Sequence, residues 1–348
     1  MRFYSQRHQF YCGIDLHANS MYACLVDHCG NKHLHRNFNT RKPERFLDAL
    51  QPFRQSDLIV GVESTFNWYW LADLCTAENL PFLLGHALYL KAIHGGKTKT
   101  DRIDSEKLAM LLRGGNFATS YVYPADLRDT RDLLRRRGTI VRRRSATMTH
   151  VQMVNHQQNL PAFGKSIAYK ANRVGIADRY REGSLQTMVQ LDVDLIDFYD
   201  AQIKKLDLYL EQNAKLDDPD TFFRLQSIPG IGRILAMMLL YEIHDIRRFP
   251  AVGNFLSYSR LVKGTNQSAG KNYKPTGSKI GNPHLKWAFS EAITLLKREC
   301  PQAKAFADKI EKKHNKARAN TLLAIKLGRA IYWMWKRKTA FDPKKMFR

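Results

Sequence analysis

Four acidic residues in the first third of the chain have the types and spacing needed to bind a metal ion. Asp15 lies near the end of one apolar run, and Glu63 ends another. Asp101 and Asp104 are three residues apart at the start of a helical pattern, so their carboxylates share one face. Oxygen ligands of this kind suit Mg²⁺ in phosphodiester-cleaving sites, with Mn²⁺ as the alternative ion. We therefore predict a metal site formed by Asp15, Glu63, Asp101 and Asp104.

The charge of the chain predicts a polyanionic partner. Of the 348 residues, 56 are Lys or Arg and 32 are Asp or Glu, which gives a formal net charge of +24. Such an excess favours nucleic acid, because neutralising phosphates releases counterions; a membrane surface is the weaker option. The sequence shows neither a membrane-spanning apolar run nor a signal peptide, and its five cysteines form no CxxC pair. We expect a cytoplasmic protein without a membrane partner.

Strand and helix patterns alternate in the first 120 residues and must position these acids. Apolar runs predict strands, and three- and four-residue apolar spacing predicts helices. In chain order, the predicted elements are strands 9–16, 21–27 and 33–38, helix 41–53, strand 57–62, helix 67–78, strand 81–84, and helices 87–94 and 101–113. The order β-β-β-α-β-α-β-α is typical of a ribonuclease H-like domain, whose mixed sheet presents acids along one edge. The alternative is a generic α/β domain with ordinary surface acids.

Residues 121–218 are predicted to form a helical arm that contacts nucleic acid. A probable helix carries a dense series of arginines, whose fork of donors suits phosphate and whose charges repel without a polyanion. The residues that we assign to nucleic-acid contact are Arg131, Arg135, Arg136, Arg142 and Arg143, beside Arg137 and Arg144. The alternative is a solvated face.

Farther along this arm, apolar residues follow the spacing of a coiled-coil seam or of an ordinary amphipathic helix packed on its own domain. They are Ile196, Tyr199, Ile203, Leu206 and Leu210. Residues 155–183 read as a turn between two long helices, which predicts an antiparallel helical hairpin or a dimer arm.

The last segment, 219–348, contains a glycine turn and a polar loop. Ser227-Ile-Pro-Gly-Ile-Gly has the helix-hairpin-helix signature, in which amides at Gly230 and Gly232 suit a DNA phosphate; an ordinary glycine turn is the alternative. The polar stretch 264–283 predicts a flexible loop. This loop contains Ser268, Lys271, Lys274, Ser278 and Lys279, and the lysines serve either phosphate contact or solubility. We expect the aromatic cluster of Tyr332, Trp333 and Trp335 to belong to helix packing rather than to a base-stacking platform.

These motifs together resemble one family across nearly the whole chain. The N-terminal motifs are Gly13-Ile-Asp, Val62-Glu-Ser and Lys99-Thr-Asp-Arg-Ile-Asp. The C-terminal motifs are Ser227-Ile-Pro-Gly-Ile-Gly, the segment 255–261 and Gly277-Ser-Lys-Ile-Gly-Asn. They are similar to the DEDD-type transposases of insertion sequences that include the Piv/MooV DNA invertases, the insertion-sequence 110 family.

The resemblance implies an architecture and a set of partners. It implies a RuvC-like catalytic domain at 1–120, a helical coiled-coil arm at 121–218, and a mostly α C-terminal transposase domain at 219–348. The last would carry a nucleophilic serine, which spacing from Leu261 places at Ser268, with Ser278 as the rival. The implied partners are donor and target DNA, a noncoding guide (bridge) RNA, and further copies of the chain as a dimer or tetramer. The implied location is the bacterial cytoplasm, at the nucleoid.

The resulting hypothesis is a DNA transposase or recombinase that uses a Mg²⁺-dependent acidic site and a serine nucleophile. One alternative is a RuvC-like, structure-specific nuclease, such as a junction resolvase, in which water replaces the serine. A nucleic-acid binder without catalysis is a second alternative, but it leaves the four acids unexplained.

Overall fold

The computed structural model describes residues 2–93, 100–264, 266–273 and 280–347. Contacts between residues divide the chain into two compact units, Met1–Asp126 and Leu127–Arg348. In the second unit, Leu134 and Leu210 of the predicted arm belong to the same apolar core as residues of the predicted C-terminal domain. The separation of a helical arm, 121–218, from a C-terminal domain, 219–348, therefore remains a proposal.

In the first unit, the described residues form a mixed seven-stranded sheet. The strands are β1 (Phe3–Tyr4), β2 (Phe10–Leu16), β3 (Ser20–Asp27), β4 (Lys32–Asn39), β5 (Leu58–Glu63), β6 (Phe82–Gly85) and β7 (Phe117–Ser120). Their order is β1-β7-β6-β5-β2-β3-β4. β2 pairs with β5 and β5 with β6 in parallel, whereas the β2–β3, β3–β4, β6–β7 and β1–β7 pairs are antiparallel.

The helices of this unit are α1 (Glu44–Leu50), α2 (Tyr69–Ala77), α3 (Ala87–Ile93) and α4 (Asp101–Arg113). Together with β2 to β6, they confirm the predicted order of strands and helices. The sequence analysis did not predict β1, whose two residues are too few to display an alternating pattern, or β7, which has four residues. α1 is shorter than predicted, since it begins after Pro43 and passes into a tight 3₁₀ turn at Gln51–Phe53.

Two glycines allow α4 to lie directly on the sheet. A Cβ atom at Gly13 of β2 would lie 2.2 Å from the backbone nitrogen of Ala109, and one at Gly61 of β5 would lie 2.8 Å from a methyl group of Leu112. No larger residue fits at Gly13 unless the helix backbone moves. The contact fixes the direction of α4, whose first turn lies toward the carboxyl ends of β2 and β5.

The second unit is helical. Its helices are α5 (Ala125–Gln157), α6 (Gly183–Asp217), α7 (Pro219–Gln226), α8 (Arg233–Ile243), α9 (Val252–Tyr258), α10 (Pro283–Glu299), α11 (Pro301–Lys313), α12 (Lys316–Arg337) and α13 (Pro343–Phe347). The first two residues of α5 precede the start of this unit at Leu127. A short antiparallel hairpin, β8 (Asn266–Ser268) and β9 (Lys271–Tyr273), lies between α9 and α10. Among the described residues, no helix is both long and apolar enough to cross a membrane.

The ion pairs between α5 and α6 show an antiparallel hairpin of two long helices, which is one of the two arrangements expected from the sequence. Arg137 contacts Asp207, Arg144 contacts Asp200, and His150 contacts Asp192, so partners on α6 run backward as α5 runs forward. The tip of the hairpin has its own apolar cluster, which includes Ile196, and its base joins the main core through Leu210. These two members of the predicted seam are thus buried within the chain itself, as expected for an amphipathic helix packed on its own domain.

Candidate metal centre and nucleic-acid interface

Asp15 and Glu63 lie at the carboxyl ends of neighbouring parallel strands. The register pairs Gly13 with Gly61 and Ile14 with Val62, so Asp15 and Glu63 occupy the next step. Side chains two residues apart on a strand share a face. Each acid follows one of the two glycines by two positions, and both acids therefore lie on the face covered by α4.

The first turn of α4 supplies the other two acids. Thr100 precedes this helix in an extended conformation, and its hydroxyl oxygen accepts a hydrogen bond of 3.2 Å from the Ile103 amide. This N-cap fixes the start of the helix, and its first turn favours negative charge because the backbone N–H groups point outward there. Asp101 and Asp104 follow directly, and Asp104 also forms an ion pair of 3.3 Å with Lys107.

His17 bridges two of the predicted acids, although the sequence did not single it out as a ligand. Its Nε2 atom lies 3.4 Å from a carboxylate oxygen of Asp15 and 3.3 Å from one of Asp101. Potential ligand atoms of Asp15, His17 and Asp101 all lie within 4.8 Å of one another. Its position in the sequence could have identified it as a ligand, since His17 follows Asp15 by two residues and lies just beyond the end of β2. The other histidines of this region, His33 and His35, contact Asp27 and the Arg102 carbonyl instead.

The electrostatics of this cluster fit a divalent cation. Burial raises the pKa of Asp15, His17 lowers it, and the carboxylates of Asp101 and Asp104 raise it further, so that the pKa stands above its ordinary value. Like charges at short range disfavour one another, and a cation relieves that repulsion. Carboxylate oxygens are the ligands that suit Mg²⁺ or Mn²⁺, whereas an imidazole such as that of His17 is more typical of other transition metals. The cluster is thus chemically able to hold the predicted ion.

The predicted nucleophile lies in the β8–β9 hairpin. The register pairs Ser268 with Lys271 across Ala269 and Gly270, which both have positive φ, as tight two-residue hairpin turns require. Lys271 is exposed. The remaining predicted loop residues, Lys274, Ser278 and Lys279, lie outside the described residues.

The end of this loop is anchored on the helical core. The Arg260 guanidinium donates to the carbonyls of Ile280 and Gly281 at 3.0 and 2.9 Å. Asn282 caps α10 by accepting from the His284 and Leu285 amides, and its own amide group donates to Glu242 at 2.7 Å. Glu242 is 1% exposed. The loop therefore returns to the core through a buried polar contact.

The arginines of α5 divide into paired and unpaired groups. Arg135 donates two hydrogen bonds to Glu242, and Arg137 and Arg144 pair with Asp207 and Asp200. Carboxylates of the same unit thus offset part of the charge that we attributed to a polyanion. By contrast, Arg136 and Arg143 are exposed, two helical turns apart, and have no ion-pair partner among the described residues. They therefore stay the residues of α5 that are most open to a phosphate, as candidates for contact.

Other predicted contact residues are partly engaged. The exposed Arg142 donates to the Thr139 hydroxyl at 3.1 Å, while Arg131 lies 3.7 Å from Asp132.

The glycine turn between α7 and α8 is packed against the core. The buried Gly230 has a φ of +82°, and a Cβ atom there would lie 2.5 Å from the Leu296 backbone nitrogen. Its amide donates to the Glu299 carboxylate at 2.7 Å. Gly230 therefore acts in helix packing, and its amide is already paired rather than open to a phosphate. Gly232 is exposed at the N-terminus of α8 and keeps its predicted role as a candidate contact.

Comparison with known protein families covers both units. Residues 12–155 match the DEDD transposases of the IS110 family, and residues 223–308 match the transposase IS116/IS110/IS902 family. The first match contains the four acids, and the second contains the glycine turn and the β8–β9 hairpin. No curated protein matches the chain. Because the two matches follow each other in family order and span about two thirds of the sequence, the chain belongs to the IS110 family of DEDD transposases, enzymes that cleave and recombine DNA.

Proposed function

We propose that this transposase exchanges DNA strands through a metal-dependent site at Asp15, Glu63, Asp101 and Asp104 and a serine nucleophile at Ser268. The observation that carries the proposal is the placement of Asp15 and Glu63 at the carboxyl ends of neighbouring strands, with His17 joining Asp15 to Asp101 in the first turn of α4. The strand order β4-β3-β2-β5-β6, with β3 antiparallel to β2 and β4, supports a RuvC-like assignment for the domain.

The carboxylates of this edge would hold the metal ion and orient the scissile phosphate. A bound Mg²⁺ or Mn²⁺ supplies charge neutralisation for the phosphoryl transition state. His17 lies between Asp15 and Asp101 and keeps their carboxylates close together. The N-terminus of α4 adds a favourable backbone field, because unsatisfied N–H groups stabilise negative charge there.

The Ser268 hydroxyl oxygen would attack the phosphorus atom of the DNA backbone. A bond from Oγ to phosphorus forms and the bond from phosphorus to the 3′ oxygen breaks. The serine proton passes to solvent, and the leaving 3′ oxygen takes a proton from solvent to become a hydroxyl. The product is a 5′-phosphoserine link. This link conserves the phosphodiester bond energy, so a second 3′ hydroxyl can reverse the step and join a new strand without ATP.

Guidance by a noncoding RNA and assembly into a dimer or tetramer belong to the same proposal. The net charge of +24 supports a second polyanion beside DNA. Ser268 and the acids belong to different compact units, so the proposal requires these residues to meet during the reaction, within one chain or across two.

The decisive experiment is co-expression with the native flanking DNA and a target plasmid, followed by detection of covalent protein–DNA adducts and recombinant junctions. We expect Ser268→Ala and Asp101→Asn to abolish both products, while Ser290→Ala and Asp48→Asn, exposed residues on α10 and α1, leave them unchanged. If Ser268→Ala still formed adducts, Ser278 would be the nucleophile. If it cleaved DNA without any adduct, the nuclease alternative with a water nucleophile would replace this proposal.

Mixing the two inactive variants tests how the site is assembled. Recovery of part of the activity in a mixture of Ser268→Ala and Asp101→Asn is expected if a serine from one chain serves the acids of another. A mixture as inactive as its components would require assembly within one chain.

A further inference from the structure

A cavity of about 620 Å³ lies between α12 and the C-terminal segment that folds back over it. The reversal occurs at Lys338, which has a φ of 54° and ends α12 with hydrogen bonds from its own amide to the Trp335 carbonyl and from Thr339 to the Met334 carbonyl. Lys326 holds the returning segment by donating to the Met346 carbonyl at 3.0 Å. The volume lies within the roughly 300–1,000 Å³ range of small-molecule pockets.

One face of α12 lines the cavity with cations and apolar groups. Lys326, Arg329, Trp333 and Arg337 follow helical spacing, so their side chains project from the same side. The opposite wall contains Phe341, Asp342 and Lys345. Four cations thus surround the cavity with one carboxylate, which gives it an affinity for anions.

The arginines of the cavity lack acidic partners. Within the part of the chain that the structure describes, neither Arg329 nor Arg337 forms an ion pair, whereas the carboxylate of Asp342 lies 3.9 Å from Lys345. Structural arginines elsewhere in this unit are paired, as Arg137 and Arg144 show. Unpaired guanidinium groups beside a cavity are suited to bind phosphate oxygens.

Trp333 departs from the expectation that the aromatic cluster serves packing alone. Tyr332 is fully buried and Trp335 is 9% exposed, but Trp333 is 41% exposed and lines the cavity. The Arg337 guanidinium lies 4.7 Å from its ring centroid. An indole with a stacked guanidinium forms a flat surface for an aromatic ligand, with charge beside it.

We propose that this cavity binds one unpaired nucleotide of a nucleic-acid strand, with its base against Trp333 and its phosphate near Arg329 and Arg337. An aromatic surface beside unpaired cations is the combination by which proteins bind single-stranded nucleic acid without sequence preference. The base could come from displaced DNA or from an RNA, because both offer the same stacking face and phosphate. The inference stands apart from the serine and metal chemistry, since it concerns binding alone.

The test measures binding of fluorescent oligothymidylate and oligouridylate, each of about twelve nucleotides, to the full chain in EDTA, so that no cleavage occurs. The variants are Trp333→Leu, Trp333→Phe and Arg329→Gln. The matched controls are Trp287→Leu, which removes an equally exposed indole on α10, and Arg318→Gln, which removes an exposed charge at the start of α12. Helicity and urea unfolding of each variant show that it remains folded.

We expect Trp333→Leu and Arg329→Gln each to weaken binding of at least one oligomer about tenfold, the magnitude usual for a lost base stack or phosphate contact. Trp333→Phe should retain most of the affinity, and the control variants should bind normally. If oligothymidylate loses more affinity, the bound nucleotide comes from DNA, and if oligouridylate loses more, it comes from RNA. Affinity for a blunt duplex should change little, because its bases are paired.

Three outcomes would overturn the proposal. Unchanged affinity of Trp333→Leu for both oligomers would show that the cavity binds no base. If Trp333→Leu lost as much affinity for an abasic oligomer as for a normal one, the cavity would bind the phosphate charge and no base. Equal losses for duplex and single strands would point to a general electrostatic surface. None of these results bears on the proposed roles of the serine and the acids. If those roles were wrong, the covalent protein–DNA adducts would be absent from the co-expression experiment.

Discussion

Arg135 on α5 and Glu242 on α8 form a two-bond ion pair, with Nε 2.6 Å from Oε1 and an Nη atom 2.8 Å from Oε2. Glu242 is 1% exposed and also accepts from Asn282, the residue at which the serine-containing loop returns to the core. One buried carboxylate therefore joins the long arginine-rich helix, the central apolar helix and the end of the loop.

Replacing Glu242 by Gln should lower the free energy of unfolding by about 1.5–3 kcal/mol, because the charged hydrogen bonds to Arg135 are lost. Urea unfolding followed by circular dichroism measures the change. The control is Asp220→Asn, which removes the ion pair between Asp220 and Arg224. The Asp220 side chain is 80% exposed, so this substitution should change the free energy of unfolding by less than about 1 kcal/mol. Equal effects of the two substitutions would contradict a special role for the buried pair.

The same pair predicts a dependence of stability on pH. Burial by itself raises the pKa of Glu242, but the hydrogen bonds and charge of Arg135, with the Asn282 amide, outweigh it and leave the pKa below its ordinary value. The stabilisation is complete above the unfolded pKa of about 4.3 and is lost as the pH falls through the folded value. The difference in unfolding free energy between wild type and Glu242→Gln should thus shrink below about pH 4. A constant difference from neutral pH down to about pH 3 would refute this.

Gly13→Ala should displace the helix that supplies Asp101 and Asp104 to the candidate metal site. Its Cβ atom would lie 2.2 Å from the Ala109 nitrogen, so α4 must shift and carry Asp101 and Asp104 with it. Overpacking of this kind costs about 1–3 kcal/mol. We expect a lower unfolding midpoint and a weaker response to Mg²⁺. In the control Gly138→Ala on α5, the nearest atom lies 3.9 Å away, and stability should be unchanged or slightly higher.

Asp15→Asn should abolish stabilisation of the protein by Mg²⁺. A ligand that binds only the folded state raises the unfolding midpoint increasingly as its concentration exceeds the dissociation constant, so a Mg²⁺ titration of thermal unfolding reports the site without any DNA. Glu63→Gln should act in the same direction if Glu63 is a ligand, whereas the exposed Asp48→Asn should respond as wild type. A normal Mg²⁺ response in Asp15→Asn would remove this residue from the site.

Arg136→Ala and Arg143→Ala should weaken DNA binding without loss of stability, because these exposed residues have no ion-pair partner among the described residues. Each lost phosphate contact should reduce the slope of log affinity against log salt by about 0.9. Arg137→Ala is the matched control, since its guanidinium pairs with Asp207 and its removal should lower stability instead. If all three variants changed the salt slope equally, the division into paired and unpaired arginines would have no consequence for binding.

The sequence determined much of the architecture and singled out the four acids of the candidate site. Alternating and helical apolar patterns were sufficient for β2 to β6 and α1 to α4, because each of these elements buries one face. The acids could be identified because carboxylates at strand ends and in a first helical turn are unusual in a chain so rich in Lys and Arg.

Only the tertiary structure decided which charged groups remain open to a ligand. Spacing along α5 makes its arginines equivalent, but packing against α6 and α8 gives Arg135, Arg137 and Arg144 carboxylate partners and leaves Arg136 and Arg143 exposed. Likewise, His17 reaches Asp101 only because Gly13 and Gly61 admit α4 onto the sheet. Trp333 differs from Tyr332 and Trp335 because successive residues of a helix point in different directions and only part of its circumference meets the core. Such partnerships join residues far apart in the chain, which no local pattern records.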